Sequence, residues 1–212
     1  MNLYPLARVV LPVAIPFAAR WRVEGRENVP DSGPFILALN HNSLLDGVFA
    51  QVACPRTVHT MTKSSQFRSG LFRWLLLGLQ AFPVRRYRVD PQAVRTVLRL
   101  LGEGRGVGIY PEAERSWDGR GQPFRRGAIR LILKAGVPVV PCGISGSYHV
   151  WPRWSRRPRR GDVTVRFGTP LEFGPHDGRE AREAAFDGAE RKLRGAWQGL
   201  IDHTGDSPVE KA

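Results

Sequence analysis

The sequence predicts an α/β fold, with a single domain in which helices flank a largely parallel central sheet, preceded by an N-terminal apolar segment. Two observations support this prediction. Apolar runs of strand length alternate with segments of helical spacing, which is typical of strand–helix–strand units. The chain has 212 residues, of which 42% are hydrophobic and 24% are charged, and these values suit one globular domain.

Strands are predicted where short apolar runs are bounded by turn residues. Phe35–Leu39 (FILAL) follows Asp-Ser-Gly-Pro and is expected to be a buried strand. Val163–Phe167 alternates apolar and polar residues, whereas Pro138 and Pro141 place Val137–Ile144 at a sheet edge or a strand end. Further strands are expected at Thr57–Thr62, Ala81–Val84 and Gly106–Tyr110.

Helices are predicted between these strands. Pro91–Leu101 has apolar residues at helical spacing, and its proline suits a first turn. Ala128–Ala135 is expected to end at Gly136. The remaining helices are expected at Leu44–Ala53, Leu71–Leu79 and Arg179–Ile201.

The N-terminus is the least regular part of the chain. Residues 1–20 are apolar but include Arg8 and three prolines, and no apolar run reaches the ~20 residues that a membrane-spanning helix needs. We therefore expect residues 1–20 to lie at a membrane interface, with irregular packing on the domain as the alternative. Residues 21–204 then form the domain, and residues 205–212 form a flexible tail.

The chain carries a net charge of +13, from 32 basic and 19 acidic residues. All but four of the basic residues are arginines, whose planar guanidinium groups suit phosphate. This surplus predicts anionic partners: lipid headgroups, phosphorylated substrates or nucleic acid. A compositional preference for arginine is the alternative. Cys54 and Cys142 form no CxxC pair, so neither a disulfide scaffold nor a structural zinc site is indicated.

A candidate base and a partner carboxylate follow the first buried strand, in the stretch NHNSLLD at residues 40–46. If His41 lies in the turn before a helix and Asp46 in the first helical turn, Asp46 can reach back to the imidazole. That arrangement orients a general base, as in a catalytic triad. Ser43-x-x-Asp46 is also a capping-box pattern, so a purely structural role for Asp46 is the alternative.

Arginines follow other predicted strands. One strand leads into Arg86, and GVGIY leads into residues 110–116 (YPEAERS), which include Arg115. The carboxyl ends of parallel strands meet at one edge of a sheet, where binding sites usually lie. Arg86 and Arg115 are therefore expected to converge there and to bind a phosphate, and scattered solvated arginines are the alternative.

Four blocks in order resemble the glycerolipid acyltransferases, the 1-acylglycerol-3-phosphate acyltransferase family. The family motif N-H-x4-D matches residues 40–46, and P-V-x-R matches residues 83–86. The motif F-P-E-G-T-R-S matches residues 110–116 in part, and V-P-I-x-P matches residues 137–141. The order of the blocks makes the resemblance specific, although no single block is decisive.

The resemblance implies an O-acyltransferase of phospholipid biosynthesis. It would transfer an acyl chain from acyl-CoA or acyl carrier protein to a lysophospholipid hydroxyl, with 1-acylglycerol 3-phosphate as the expected acceptor and phosphatidic acid as the product. His41 would be the general base and Asp46 its orienting partner, without a covalent acyl-enzyme. The residues implied in acceptor binding are Arg86, Glu112, Arg115 and Ser116. No cofactor and no metal are expected.

A lipid product implies contact with a membrane. We expect peripheral or monotopic association with anionic lipids at the cytoplasmic face of the cell membrane. Trp151, Trp154 and the arginines of residues 153–160 form an aromatic and basic segment that suits this interface, with a solvated loop as the alternative. The apolar residues of Leu71–Leu79 are expected mainly to pack in the core, with an acyl-chain site as the alternative.

Two departures from the third motif leave the acceptor open. Ala113 replaces a glycine, and Glu114 replaces a threonine. A carboxylate at residue 114 would repel a phosphate unless it points away. Glycerol 3-phosphate, another lysophospholipid or a lyso-aminolipid are therefore alternative acceptors. A basic nucleic-acid-binding protein is the rival from another class, but it leaves the His41–Asp46 block unexplained, so no nucleic-acid partner is expected.

Overall fold

The computed structural model describes residues 3–6, 19–86, 90–174, 176 and 178–201. Within these ranges seven strands form one sheet. They are β1 (Ala19–Glu24), β2 (Phe35–Leu39), β3 (Val58–Lys63), β4 (Phe82–Val84), β5 (Gly106–Ile109), β6 (Val139–Ser145) and β7 (Gly161–Phe167). Their order across the sheet is β1-β7-β6-β2-β5-β3-β4.

The sheet is parallel except at one junction. Strands β6, β2, β5, β3 and β4 run in the same direction, and β1 pairs in parallel with β7. The exception is the β6–β7 pair, which is antiparallel. The prediction of a largely parallel sheet is confirmed, and the carboxyl ends of β2, β5, β3 and β4 meet at one edge of the sheet.

Helices connect the strands and cover the sheet. They are α1 (Asp46–Ala53), α2 (Gly70–Gly78), α3 (Pro91–Gly102), α4 (Arg126–Ala135), α5 (Ser147–Val150) and α6 (Gly178–Gln198). Short 3₁₀ helices occur at Arg26–Asn28 and Ser64–Phe67. Among the residues described, none of the helices combines the length and the apolar character that crossing a bilayer requires.

The core lies on both faces of the sheet. Strand β2 is buried along its whole length, and its alternate residues face opposite sides. Leu37 packs with Phe49 of α1 on one face. Ile36 packs with residues of α3, α4 and α6 on the other face. The continuous apolar sequence FILAL is explained because a central strand of a doubly covered sheet has no solvent-facing side.

The expectation that the prolines of Val137–Ile144 mark a sheet edge or a strand end holds for Pro138, which directly precedes β6, but is wrong for Pro141, because β6 lies between β7 and β2. Pro141 is tolerated in this interior strand for a local reason. Its carbonyl accepts a hydrogen bond from the N–H of Gly168 (2.8 Å), one residue beyond the end of β7. The N–H that proline lacks would point to the same side, so its absence falls at the end of the β6–β7 ladder and not in the middle of it.

The expectation that the helix at Leu71–Leu79 packs in the core is also wrong. Leu71 is 74% exposed and Trp74 is 49% exposed, and Gly78 is the buried residue of α2. The carboxyl-terminal end of the helix is fixed to the protein, since the N–H of Leu3 donates to the carbonyl of Gly78 (2.9 Å). Most of the apolar surface of α2 faces outward.

Part of the N-terminal segment packs on the domain. Tyr4 is buried, and its hydroxyl donates to the carbonyl of Gln51 (3.2 Å) and accepts from the N–H of Val58 (3.2 Å). Strand β1 begins at Ala19, so the last two residues of the predicted 1–20 segment belong to the sheet. Residues 7–18 and the predicted tail at residues 205–212 lie outside the described residues, and their expected roles stay predictions.

Candidate active site

His41 and Asp46 form a buried pair at the carboxyl end of β2. His41 lies in the loop after the strand, and Asp46 is the first residue of α1. The Nδ1 atom of His41 lies 2.9 Å from Oδ2 of Asp46, and Asp46 is fully buried. The carboxylate therefore reaches back to the imidazole, as the spacing of five residues predicted.

Asp46 also organises the backbone of the loop that carries His41. Its Oδ2 atom accepts the N–H groups of Asn42 and Ser43, each at 2.7 Å. The capping role and the contact with His41 therefore coexist. A carboxylate that accepts two backbone N–H groups acts as an acceptor toward the ring as well, which places the proton of His41 on Nδ1 and leaves Nε2 with a free lone pair.

The surroundings of His41 favour the neutral imidazole. Burial lowers the pKa of His41 below its usual value, and the positive charges of Arg86 and Arg115 lower it further. The hydrogen bond and the charge of Asp46 oppose this shift. Tyr110 stacks on the imidazole, with 4.1 Å between ring centroids, and restricts its orientation. A neutral, oriented imidazole can accept a proton.

Glu112 is hydrogen-bonded to the backbone of His41. Its Oε2 atom accepts the backbone N–H of His41 (2.8 Å), and its Oε1 atom accepts that of Gln122 (2.7 Å). Glu112 is 1% exposed, and this burial raises its pKa to about 7 against the opposing effect of the two hydrogen bonds. With both oxygens occupied, Glu112 is placed to position the His41 loop, whereas the resemblance implied a contact with the acceptor.

Ser116 has a similar supporting geometry. Its backbone N–H donates to the carbonyl of His41 (2.8 Å). Its hydroxyl donates to Asp118 Oδ1 (2.9 Å), and Ser116 is fully buried. The hydroxyl of Ser43 donates instead to the carbonyl of Trp151 (3.0 Å). Neither serine hydroxyl donates to His41, so the geometry activates neither Ser43 nor Ser116 as a nucleophile.

Two arginines approach the candidate base, and a third contacts one of them. Arg86 follows β4 and Arg115 follows β5, as predicted, and both are close enough to His41 to affect its pKa. Burial lowers the pKa of Arg115, and the charges of Arg153 and Arg86 lower it further. Arg153 also donates to the carbonyl of Arg115 (3.4 Å). An anion bound among these cations would relieve their mutual repulsion.

The carboxylate of Glu114, which the sequence left as a possible source of repulsion toward a phosphate, is neutralised by two arginines. Its carboxylate pairs with Arg125 (3.0 Å) and Arg153 (2.9 Å). Ala113 adopts a φ of +64°, the left-handed conformation that the family's glycine would adopt without strain. The altered third motif therefore keeps a glycine-like turn and neutralises the added carboxylate.

Several contacts at this site were not predicted. Asn40 joins β2 to β6, since its amide donates to the carbonyl of Ile144 (2.9 Å) and accepts its N–H (2.8 Å). From the sequence, Tyr110 was identified only as a position of the third motif, and Arg153 only as part of the basic segment at residues 153–160. Among the residues described, no group of three His, Cys, Asp or Glu is placed to hold a metal ion.

A family model described as Acyltransferase matches residues 20–145, which contain His41, Asp46, Arg86, Glu112 and Arg115. The chain belongs to the acyltransferase family. The acyltransferase prediction is therefore confirmed, and family membership favours it over the nucleic-acid-binding rival.

Similar proteins agree with this family. A chloroplastic 1-acyl-sn-glycerol-3-phosphate acyltransferase of Brassica napus is 30% identical over 70% of this chain, which covers 44% of that relative. A 1-acyl-sn-glycerol-3-phosphate acyltransferase of Bacillus subtilis is 29% identical over 68% of this chain and 72% of its own length. The acyltransferase thus spans less than half of the first relative and most of the second.

The fold of the acyltransferase also has a counterpart of known structure. The crystal structure of the 1-acyl-sn-glycerophosphate acyltransferase from Thermotoga maritima superposes with a TM-score of 0.71. The superposition covers 91% of this chain and 79% of that chain, at 22% sequence identity. This likeness supports the α/β architecture described above.

Proposed function

We propose that the protein transfers an acyl chain from an acyl thioester, acyl-CoA or acyl carrier protein, to the free hydroxyl of 1-acylglycerol 3-phosphate, and so forms phosphatidic acid. The observation that carries this proposal is the buried His41–Asp46 pair, with Arg86 and Arg115 close to the same imidazole. The names of the relatives in Brassica napus and Bacillus subtilis support the same acceptor.

The proposed chemistry is direct transfer with a general base. Nε2 of His41 takes the proton of the acceptor hydroxyl as its oxygen attacks the thioester carbonyl. The carbon–sulfur bond then breaks, and the leaving thiolate takes the proton back from the imidazolium. Asp46 holds the ring and stabilises the transient imidazolium. The occupied hydroxyls of Ser43 and Ser116 support a route without an acyl-serine intermediate.

The acceptor is positioned by its phosphate in this proposal. Arg86 and Arg115 lie close to His41, and a phosphomonoester bound between them would bring its glycerol hydroxyl toward the imidazole. Glu114 is compatible with a phosphate because its charge is paired with Arg125 and Arg153. This arrangement favours a phosphomonoester acceptor over a lysophospholipid with a larger headgroup or a lyso-aminolipid.

An acceptor panel tests the proposal. Wild-type protein and Arg115→Ala are assayed with both donors and with 1-acylglycerol 3-phosphate, glycerol 3-phosphate, lysophosphatidylcholine and a lyso-aminolipid. We expect 1-acylglycerol 3-phosphate to be the best acceptor, and Arg115→Ala to raise its KM about tenfold or more, since a charged hydrogen bond to phosphate contributes roughly 1.5–3 kcal/mol. Arg120→Ala, at an exposed arginine of the same loop, is the control.

Two results would contradict the proposal. One is a preference for an acceptor without a terminal phosphate, which would remove the proposed role of Arg86 and Arg115. The other is an unchanged KM in Arg115→Ala, which would exclude Arg115 from the acceptor site.

The membrane is proposed as the place of the reaction. Peripheral association with anionic lipids, at the cytoplasmic face of the cell membrane, suits an acceptor and a product that both carry acyl chains. The net charge of +13 supports an anionic surface as the partner.

A further inference from the structure

Helix α2 is the most apolar exposed surface among the described residues. Five of its nine residues are large, apolar and more than 40% exposed, namely Leu71, Phe72, Trp74, Leu75 and Leu77. Contiguous apolar surface of this kind on a folded domain indicates a binding site for a partner or a membrane. An amphipathic surface helix buries one apolar stripe on its own domain, whereas α2 leaves most of its apolar side chains outside.

The charge around α2 identifies the partner. Between Asp46 and Asp90 the sequence contains no Asp or Glu but seven Lys or Arg. Lys63 and Arg68 precede the helix, Arg73 lies on it and Arg85 follows β4, and all four are exposed. An apolar helix whose charged neighbours along the chain are all basic is complementary to a bilayer that has anionic headgroups above an apolar interior.

The position of α2 in the fold agrees with this partner. The helix follows the carboxyl end of β3, the sheet edge at which His41 and Arg115 lie, and it leads into β4 and then Arg86. A bilayer that covers α2 therefore lies close to the edge where the lipid acceptor is proposed to react. Trp74 also belongs to the residue type that favours the headgroup region of a bilayer.

We propose that α2 is the element by which the protein docks on anionic membranes, with its apolar side chains inserted at the headgroup boundary and its basic neighbours bound to anionic lipids. The identity of the lipid substrates depends on the proposed function, whereas the docking surface is inferred from exposure and charge alone. This assignment differs from the predicted interface at Trp151 and Trp154. Trp154 is already held by the protein, since its indole donates to the hydroxyl of Tyr148 (3.1 Å) and Arg159 lies over its ring.

Two tryptophans of similar exposure provide the test. Trp74 is 49% exposed on α2, and Trp154 is 45% exposed in the segment of residues 151–160. Co-sedimentation with vesicles of phosphatidylglycerol and phosphatidylcholine is measured for wild type, Trp74→Gln and Trp154→Gln. We expect Trp74→Gln to weaken vesicle binding about tenfold and Leu71→Gln/Trp74→Gln about 100-fold, with less than about threefold loss in Trp154→Gln.

The basic neighbours of α2 are tested separately. Arg68→Gln/Arg73→Gln should weaken binding to these vesicles but not the weak binding to pure phosphatidylcholine.

Other results would overturn the docking assignment. Unchanged vesicle binding in Leu71→Gln/Trp74→Gln, or a larger loss in Trp154→Gln than in Trp74→Gln, would contradict it. If light scattering gives Leu71→Gln/Trp74→Gln half the mass of wild type, a second copy of the chain covers α2. If Leu71→Gln/Trp74→Gln unfolds at a lower temperature than wild type, another segment of the chain covers α2.

A soluble assay separates this proposal from the proposed function. Acyl transfer is measured without vesicles, from a short-chain acyl-CoA to a monomeric short-chain lysophosphatidate. We expect Leu71→Gln/Trp74→Gln to keep the wild-type kcat/KM there, and a lower value would assign α2 to an acyl-chain site. Absence of transfer by wild type would contradict the proposed function, while the vesicle result would still decide the role of α2.

Discussion

The His41 loop (residues 40–46) and helix α2 lie at the same edge of the sheet but show opposite relations to their surroundings. In the His41 loop the polar side chains are buried, and Oδ2 of Asp46 accepts two backbone N–H groups and contacts the imidazole. In α2 the large apolar side chains are exposed. The two regions therefore differ in the way their proposed roles require. The His41 loop has the fixed geometry that the proposed proton transfer needs, and α2 has the exposed apolar surface that the proposed membrane docking needs.

The largest expected effect is in the His41 loop. Asp46→Asn should lower kcat about 1,000- to 10,000-fold, because the amide cannot hold the imidazole in the tautomer that leaves Nε2 unprotonated. Acyl transfer to 1-acylglycerol 3-phosphate measures this loss. Asp162→Asn, at an exposed aspartate that pairs with Arg20 on the surface, is the control and should change kcat less than about twofold. A kcat within tenfold of wild type in Asp46→Asn would remove the carboxylate from the mechanism.

One buried and one exposed leucine extend the comparison to the free energy of unfolding. Leu37 of β2 is fully buried and Leu71 of α2 is 74% exposed. Leu37→Ala should lower the free energy of unfolding by about 2–5 kcal/mol, because it removes buried surface and leaves a cavity. Leu71→Ala should change it by less than about 0.5 kcal/mol. Denaturant unfolding measures both, and a large loss in Leu71→Ala would mean that α2 is covered by the protein.

The buried carboxylate of Glu112 makes a pH-dependent prediction. The pKa of Glu112 is raised from 4.5 to about 7 in the folded protein, so the folded state keeps a proton that the unfolded state releases between these pH values. Raising the pH from about 4.5 to about 7 therefore costs stability at this residue, by roughly 3 kcal/mol. The difference in unfolding free energy between wild type and Glu112→Gln should change by this amount over that range. A difference that is constant with pH would contradict the raised pKa.

The smallest expected effect concerns the turn that supports the site. Ala113 has a φ of +64°, a conformation that costs an alanine more than a glycine. Ala113→Gly should raise the free energy of unfolding by about 0.5–1 kcal/mol. Ala93→Gly, within helix α3, is the control and should lower it. Destabilisation by Ala113→Gly would show that the left-handed turn is not strained.

The sequence was sufficient where the relevant partners are near each other along the chain. His41 and Asp46 are five residues apart, and a strand followed by a helix start brings them together with little help from the rest of the fold. The strand FILAL could be recognised because a doubly covered strand is apolar throughout. The convergence of Arg86 and Arg115 followed from the rule that parallel strands end at one edge.

The sequence was insufficient where a distant partner determines the role. Glu112 contacts the backbone of a residue 71 positions earlier, and Arg153 pairs with Glu114, 39 positions away. No local sequence pattern predicts contacts between residues so far apart in the chain. The exposure of α2 was missed because a run that is apolar on all sides does not show which side the domain covers. Pro141 led to a wrong prediction of an edge strand, because a proline is tolerated inside β6 at the point where the neighbouring strand β7 ends.

The most direct test of the account is the rate of phosphatidic acid formation by wild type and His41→Gln, from acyl-CoA and 1-acylglycerol 3-phosphate, with unfolding measured in parallel. We predict that the wild type forms phosphatidic acid and that His41→Gln unfolds at a similar temperature but lowers kcat at least about 1,000-fold, because glutamine cannot act as a base. A folded His41→Gln protein that keeps its rate within tenfold of wild type would contradict the central claim that this imidazole activates the acceptor hydroxyl.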